Sequence, residues 1–308
     1  MIERLLFNII RKINPPDIKK VYKLKRDAQN FVISSAVKMN SGHYDKVIRV
    51  KDGYNIPVSI YPPGLKGKRN RLIIFFHGGG WVIEETDRYH KICRQLADVT
   101  EGYVISVHYR LAPENKFPAG FNDCYRAAAC IFRQAVKLGY SERNIILAGD
   151  SAGGNLAAAV SLKALKRADF RVYRQILLYP VTACEYDRSS PYKSVHENGK
   201  GCILTSERMQ GYLELYLNDI SEKNNPYVAP IKAADLSSMP QTLIITAEYD
   251  PLRDEGEAFG KRIYKEGGKV MAFRIKDAYH GFFATDLAKH PHARRAVSMI
   301  MYFLGLTD

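Results

Sequence analysis

The stretch Asn144-Ile-Ile-Leu-Ala-Gly-Asp-Ser-Ala-Gly-Gly-Asn-Leu-Ala-Ala-Ala-Val160 constrains the fold more than any other part of this chain. Its apolar start, Asn144 to Ala148, reads as a short strand, and the small and apolar residues from Ser151 onward read as a helix. Between them, Gly149-Asp150-Ser151-Ala152-Gly153 fits a strand-to-helix turn with a serine at its tip, a nucleophile elbow. A serine held there has a strained backbone. The residues two before and two after it must lack side chains if strand and helix are to pass closely. The turn also sets a helix N-terminus, with unpaired N–H groups and the positive end of its dipole, beside the hydroxyl. An ordinary glycine-rich βα turn has the same spelling, so Ser151 needs partners elsewhere.

The first partner lies upstream. Arg71 to Phe76 reads as a buried strand running into His77-Gly78-Gly79-Gly80-Trp81, the HGGG type of loop that supplies half of an oxyanion hole. Successive glycines let the backbone approach a substrate with its N–H groups turned inward. The N–H groups of Gly78, Gly79 and Ala152 are therefore the expected oxyanion donors.

Around these motifs, strands and helices alternate. Asp45 to Lys51 and Tyr54 to Tyr61 read as a hairpin joined at Asp52-Gly53. A helix ending near Thr100, a strand at Tyr103 to Tyr109, a helix at Phe121 to Leu138 and a strand at Gln175 to Tyr179 follow. The pattern predicts an α/β fold with a mostly parallel central sheet, helices on both faces. From Val181 to Met239 it breaks: the segment is rich in Tyr, Ser, Asn and charge, with one clear helix near Ser206 to Leu217. Strands resume at Gln241 to Thr246 and Lys269 to Ile275, and a helix from Pro291 to Leu304 closes the chain. The expected division is 1–44 (N-terminal helices), 45–180 (first part of the core), 181–240 (an insertion over the strand tips) and 241–308 (second part of the core). The strand 269–275, at a sheet edge, is a possible homodimer contact.

HGGGW, YRLAPE at Tyr109 to Glu114, GDSAGG at Gly149 to Gly154, YDPLRDEG at Tyr249 to Gly256 and HGF at His280 to Phe282 occur in that order. Together they resemble the hormone-sensitive-lipase family of α/β-hydrolases. The resemblance implies an α/β-hydrolase fold, with the N-terminal helices and the 181–240 insertion forming a helical cap. It implies a serine carboxylesterase acting on short acyl esters, with no metal and no cofactor. In this fold the order along the chain is nucleophile, acid, histidine. Among eight histidines, only His280, His290 and His292 lie after the last strand begins. His280, in the loop between that strand and the last helix, is the expected base; His290 and His292 look like the exposed start of the helix. Two aspartates compete for the acid. Asp250 lies in a loop beyond a strand's carboxyl end, where open sheets gather their sites, although Asp is equally good as an N-cap ahead of Pro251. Asp254 falls within the helix that opens there. The family motif assigns the role to the first, Asp250. His77, Trp81, Glu114 and Asp150 take supporting roles, Asp150 as a structural residue. One departure stands out: relatives commonly carry Asp before Tyr-Arg of YRLAPE, where this chain has His108, so the hydrogen bonds holding the oxyanion loop are expected to differ.

At 308 residues the chain fits one α/β domain with an appended element. Its net charge of +14 is high, but Lys and Arg are scattered, with one denser region from Arg11 to Arg26. That implies a solvated surface and no nucleic-acid partner. Five cysteines without a C-x-x-C pair, and no secretory signal, imply free thiols and a cytoplasmic protein. Ile2, Leu5, Leu6, Ile9, Ile10 and Ile13 follow helical spacing. Such a helix packs on its own protein more often than on a membrane surface, so no membrane contact is expected; a membrane-surface lipase is the alternative. The other alternative is a non-enzymatic receptor on the same fold. Plant gibberellin receptors resemble this family but lack the catalytic histidine, which is present here as His280.

Overall fold

A computed structural model describes residues 17–26, 42–50, 53–64, 70–84 and 86–306. The predicted amphipathic helix at residues 2–13 lies outside them, and of the N-terminal helices expected within 1–44 the helix at 18–26 is described.

Eight strands form one sheet: β1 (Tyr44–Ile48), β2 (Ile56–Tyr61), β3 (Leu72–Phe76), β4 (Tyr103–Val107), β5 (Ile145–Asp150), β6 (Arg174–Leu178), β7 (Gln241–Tyr249) and β8 (Val270–Tyr279). Their spatial order is β1-β2-β4-β3-β5-β6-β7-β8. β1 pairs antiparallel with β2 and β2 with β4, and every pairing from β4 to β8 is parallel. Besides the 18–26 helix, the helices among the described residues are α1 (Thr86–Val99), α2 (Ala119–Lys137), α3 (Ala152–Arg167), α4 (Lys193–Glu197), α5 (Ser206–Tyr216), α6 (Arg253–Lys265) and α7 (Pro291–Phe303). This is the mostly parallel α/β sheet that the alternating pattern predicts, in the α/β-hydrolase fold that the family resemblance implies. The predicted hairpin exists, but its ladder stops at Ile48–Ile56, short of the expected Asp52-Gly53 turn.

Parallel strands buried on both faces need continuous apolar runs. β3 (LIIFF) is buried at every position. Its side chains divide between two cores: Ile74 and Phe76 face the one that includes α2 and α3, Ile73 and Phe75 the one that includes α1 and α7. α3 is the central buttress, with Ala157, Ala158, Ala159 and Val160 fully buried. Small side chains there let the helix lie close against the sheet behind Ser151.

The segment 181–240 contains no strand, as its composition predicts, and carries α4 and α5 with short 3₁₀ turns. The side chain of Thr205 caps α5 by accepting from Arg208 N. Trp81 of the glycine loop stacks on Tyr216 of α5, 4.4 Å between centroids and 4° from parallel, a pairing worth about 0.5–1.5 kcal/mol beyond its area. Lys19 meets Glu214 at 2.6 Å, joining the 18–26 helix to the same element. Among the described residues no helix is long and apolar enough to cross a membrane.

Candidate active site

Every predicted triad member sits at the carboxyl end of a parallel strand, the edge where open α/β sheets place their sites. Ser151 follows β5 directly and opens α3. Its φ of 54° and ψ of −119° are strained for a residue with a side chain, a conformation that costs on the order of 1–3 kcal/mol. The amide of Ser151, donating to Leu178 O at 2.8 Å, anchors the turn. The glycines behave as the sequence requires. A Cβ on Gly149 would stand 2.3 Å from Gly153 O, and one on Gly153 would stand 1.9 Å from Phe76 O.

The acid and the histidine are brought together by register. β7 and β8 pair with a constant offset from Thr242–Val270 to Ala247–Ile275, and then slip by two residues so that Tyr249 lies opposite Tyr279. The slip is taken up at Asp277, whose φ is +60° and whose amide donates to Glu248 Oε2 at 2.8 Å. Without it Tyr249 would face Asp277, and His280 would overshoot. With it, Asp250 and His280 are the residues that immediately follow the paired ends of neighbouring strands. His280 Nδ1 lies 2.7 Å from Asp250 Oδ2 and His280 Nε2 lies 2.9 Å from Ser151 Oγ. An ionised carboxylate only accepts, so the proton sits on Nδ1 and Nε2 is left to accept from the serine hydroxyl.

Both strands run further than expected, β7 to Tyr249 and β8 to Tyr279, while α6 starts at Arg253 instead of Pro251. Asp250 therefore precedes a turn, and its Oδ1 accepts from Leu252 N at 2.9 Å. It is fully buried. Asp254 faces elsewhere: its Oδ1 meets Arg253 Nε at 2.7 Å and its Oδ2 accepts from Ser194 N at 2.8 Å. The predicted histidines His290 and His292 flank Pro291 at the start of α7 and are half-buried instead of exposed.

The oxyanion loop corrects one expectation. The N–H of Gly78 does not face the substrate side, because it donates to Asp150 Oδ1 at 2.8 Å and also reaches the Tyr89 hydroxyl at 2.9 Å. No acceptor among the described residues takes the N–H of Gly79, Gly80 or Ala152. Gly80 thus replaces Gly78 beside the other two as a candidate donor. Gly79 holds a φ of 116°, and a Cβ there would stand 1.9 Å from Ile83 O. Asp150 explains why the loop is held. Tyr89 donates to its Oδ2 at 3.0 Å and Tyr179 at 3.4 Å, and burial raises its pKa to about 6. A buried carboxylate with three donors fixes the loop's first glycine relative to the elbow.

His77 is fully buried, its ring stacked on Tyr109 at 4.2 Å, and its pKa is lowered by burial. His108, the departure from the family motif noted in the sequence, pairs with Glu84 through Nδ1 and with Ser59 Oγ at 2.8 Å through Nε2. Burial works against the charged form of His108, but Glu84 outweighs it and raises the pKa. Glu84 Oε1 also lies 3.7 Å from His77 Nε2. The carboxylate for this corner thus comes from Glu84. Trp81 is buried with a φ of 61°, and its carbonyl accepts from Ala112 N at 2.9 Å. Glu114 is half-exposed and bonds Arg26 Nη1 at 2.8 Å; Arg26 Nε in turn donates to Val82 O at 2.8 Å, tying the 18–26 helix to the glycine loop.

Sequence reasoning missed Tyr89, Tyr179, Glu84 and Glu255. Glu255 is fully buried in α6. Its Oε1 accepts from Thr182 N at 2.7 Å and from the Tyr186 hydroxyl at 3.1 Å, while Oε2 has no partner among the described residues. Burial drives its pKa up to about 8. A raised carboxyl pKa means that the fold favours the protonated form. That contribution is full below the unfolded value of 4.5 and is lost as pH climbs through about 8. Glu255→Gln cannot ionise, so its Tm relative to wild type should rise from about pH 5 to about pH 9. A Tm difference that stays flat over that range would contradict the assignment.

Comparison with known proteins agrees with this fold. The α/β-hydrolase fold family profile matches residues 73–284. An arylesterase from Saccharolobus solfataricus is 36% identical over 258 residues, covering 83% of this chain and 80% of its own. Carboxylesterase NlhH from Mycobacterium tuberculosis is 33% identical over 231 residues, 74% of this chain and 71% of its own. The solved structure of an esterase from Pyrobaculum calidifontis superposes with a TM-score of 0.82 at 35% identity, covering 97% of both chains.

Proposed function

The chain belongs to the α/β-hydrolase family, in its hormone-sensitive-lipase-like branch, and from that premise we propose that it is a serine carboxylesterase cleaving short-chain acyl esters through an acyl-enzyme on Ser151. One observation carries the reading: the unbroken chain of contacts Ser151 Oγ–His280 Nε2–His280 Nδ1–Asp250 Oδ2 at 2.9 and 2.7 Å.

The steps follow from that chain. Ser151 Oγ attacks the ester carbonyl as His280 Nε2 takes its proton, forming a tetrahedral intermediate. The N–H groups of Gly79, Gly80 and Ala152 stabilise its oxygen, aided by the N-terminus of α3. His280 returns the proton to the alcohol, which departs and leaves Ser151 acylated. Water, deprotonated by His280, then releases the acid. Asp250 holds the histidine tautomer and stabilises the imidazolium. Asp150, Tyr89 and the His108–Glu84 pair hold the loop and do not touch the reacting atoms.

Residues 1–44, of which the helix 18–26 is described, and the segment 181–240 act as the cap on a core of 45–180 and 241–308; the contacts of α5 with Trp81 and the 18–26 helix support this division. A cytoplasmic location fits five cysteines that form no disulfide, four of them buried. A homodimer through β8 fits that strand's place at the sheet edge, and light scattering on the purified protein tests it.

Hydrolysis of 4-nitrophenyl esters across an acyl series is the test of substrate class. Short chains should give the highest kcat/KM, and dialysis against a chelator should leave the rate unchanged. A maximum at long chains would move the protein to a lipase, and a rate abolished by chelator and restored by zinc would overturn the serine mechanism.

A further inference from the structure

The cavity above Ser151 has a volume of about 350 Å³. Three cations reach its wall from three separate elements: Lys25 from the 18–26 helix, Arg88 from α1 and Arg208 from α5. Among the described residues of the wall there is one carboxylate, Asp150, and its oxygens are already taken by Gly78, Tyr89 and Tyr179. The rest of the wall is largely apolar, with Ile83, Ile203, Met209 and Tyr212. An esterase pocket for plain acyl chains needs the apolar surface and has no use for the cations.

Arg208 is the most informative of the three. Its Nε is buried and has no hydrogen-bond partner among the described residues. No carboxylate among them lies within ion-pair distance of it, and its guanidinium carbon stands 5.8 Å from the Tyr212 ring centroid. A desolvated donor left without an acceptor is destabilising, and a planar guanidinium is shaped to bind carboxylate or phosphate with two parallel hydrogen bonds. Its place on the wall that holds Ser151 and His280 makes the substrate the fitting acceptor.

We propose that the ester accepted here carries an anionic group near the scissile carbonyl, on the acyl or the alcohol side, and that Arg208, flanked by Lys25 and Arg88, binds it. Arg208 is then a specificity residue. The chain's net charge of +14 draws such a substrate toward the protein. The inference rests on the serine-esterase reading and narrows it to a substrate class.

Two matched pairs test it, with kcat/KM measured at low ionic strength near neutral pH. Monomethyl adipate against methyl hexanoate places the anion on the acyl side; 4-acetoxybenzoate against its methyl ester places it on the alcohol side. In at least one pair the anionic ester should be favoured by about tenfold, the scale of one charge-assisted hydrogen bond. Added salt should erode that preference. Arg208→Gln should bring the anionic-to-neutral ratio close to parity. The ratio is read on one protein sample, so partial misfolding of the variant does not disturb it. Preference for the neutral ester in both pairs, or a preference that survives Arg208→Gln, overturns the proposal and leaves the esterase reading standing. No turnover of any of the four overturns the esterase reading, and the proposal falls with it.

Discussion

Ser151→Ala should lose nearly all ester hydrolysis while keeping its fold. The hydroxyl is the only part of the Ser151–His280–Asp250 chain that can form the acyl bond, and serine or histidine knockouts in comparable triads cost on the order of 10⁶ in kcat. The fold should survive because the anchors of the turn are elsewhere: the amide of Ser151 donates to Leu178 O, and Gly149 and Gly153 give the strand and helix their clearance. Replacing Oγ by hydrogen leaves φ at 54°, which alanine tolerates about as well as serine does. Circular dichroism and Tm should match wild type to within a few degrees. Retention of even a tenth of the activity would mean another nucleophile.

The second large effect separates two aspartates four positions apart. Asp250→Asn should cost roughly 10⁴ in kcat, by analogy with the loss of tautomer control in other triads. Its Oδ2 faces His280 Nδ1 at 2.7 Å while its Oδ1 accepts from Leu252 N. An amide there can keep the turn but offers an N–H or a neutral oxygen where a charge is needed to stabilise the imidazolium. Asp254→Asn should behave differently. That side chain joins Arg253 and Ser194, and its pKa is lowered chiefly by Arg253, against the opposing effect of burial. Its loss should loosen the contact between α6 and α4 and lower Tm, with kcat changed far less. If Asp254→Asn proves to be the inactive variant and Asp250→Asn turns over well, the acid has been assigned wrongly.

How much could be read from the chain depends on how local the cause is. The elbow at Ser151 is a five-residue problem in backbone sterics, so its glycines are legible without a structure. The order of strands and helices is legible for a similar reason, since apolar runs and turns are local. The register slip between β7 and β8 is not. It depends on a single irregularity at Asp277, and no residue there announces it, yet it decides that Asp250 and His280 are neighbours. The same limit explains Gly78. Three glycines in a row show that the backbone must come close to something, but which N–H points where is set by Asp150 and Tyr89, 72 and 11 residues away along the chain. His108 is the intermediate case. The departure is visible in the sequence, while its consequence is visible only once Glu84 folds against it. Arg208 has no signature at all: one arginine among many becomes distinctive only because α5 turns it toward the cavity above Ser151.

The account stands or falls on Ser151 being the group that takes the acyl chain. Treatment with a fluorophosphonate, followed by intact-protein and peptide mass spectrometry, reads that directly. The expected result is one adduct per chain, on the peptide containing Ser151, formed in step with loss of activity and absent from Ser151→Ala. An adduct on a different residue accompanying inactivation, or full activity in a protein already labelled at Ser151, would contradict it.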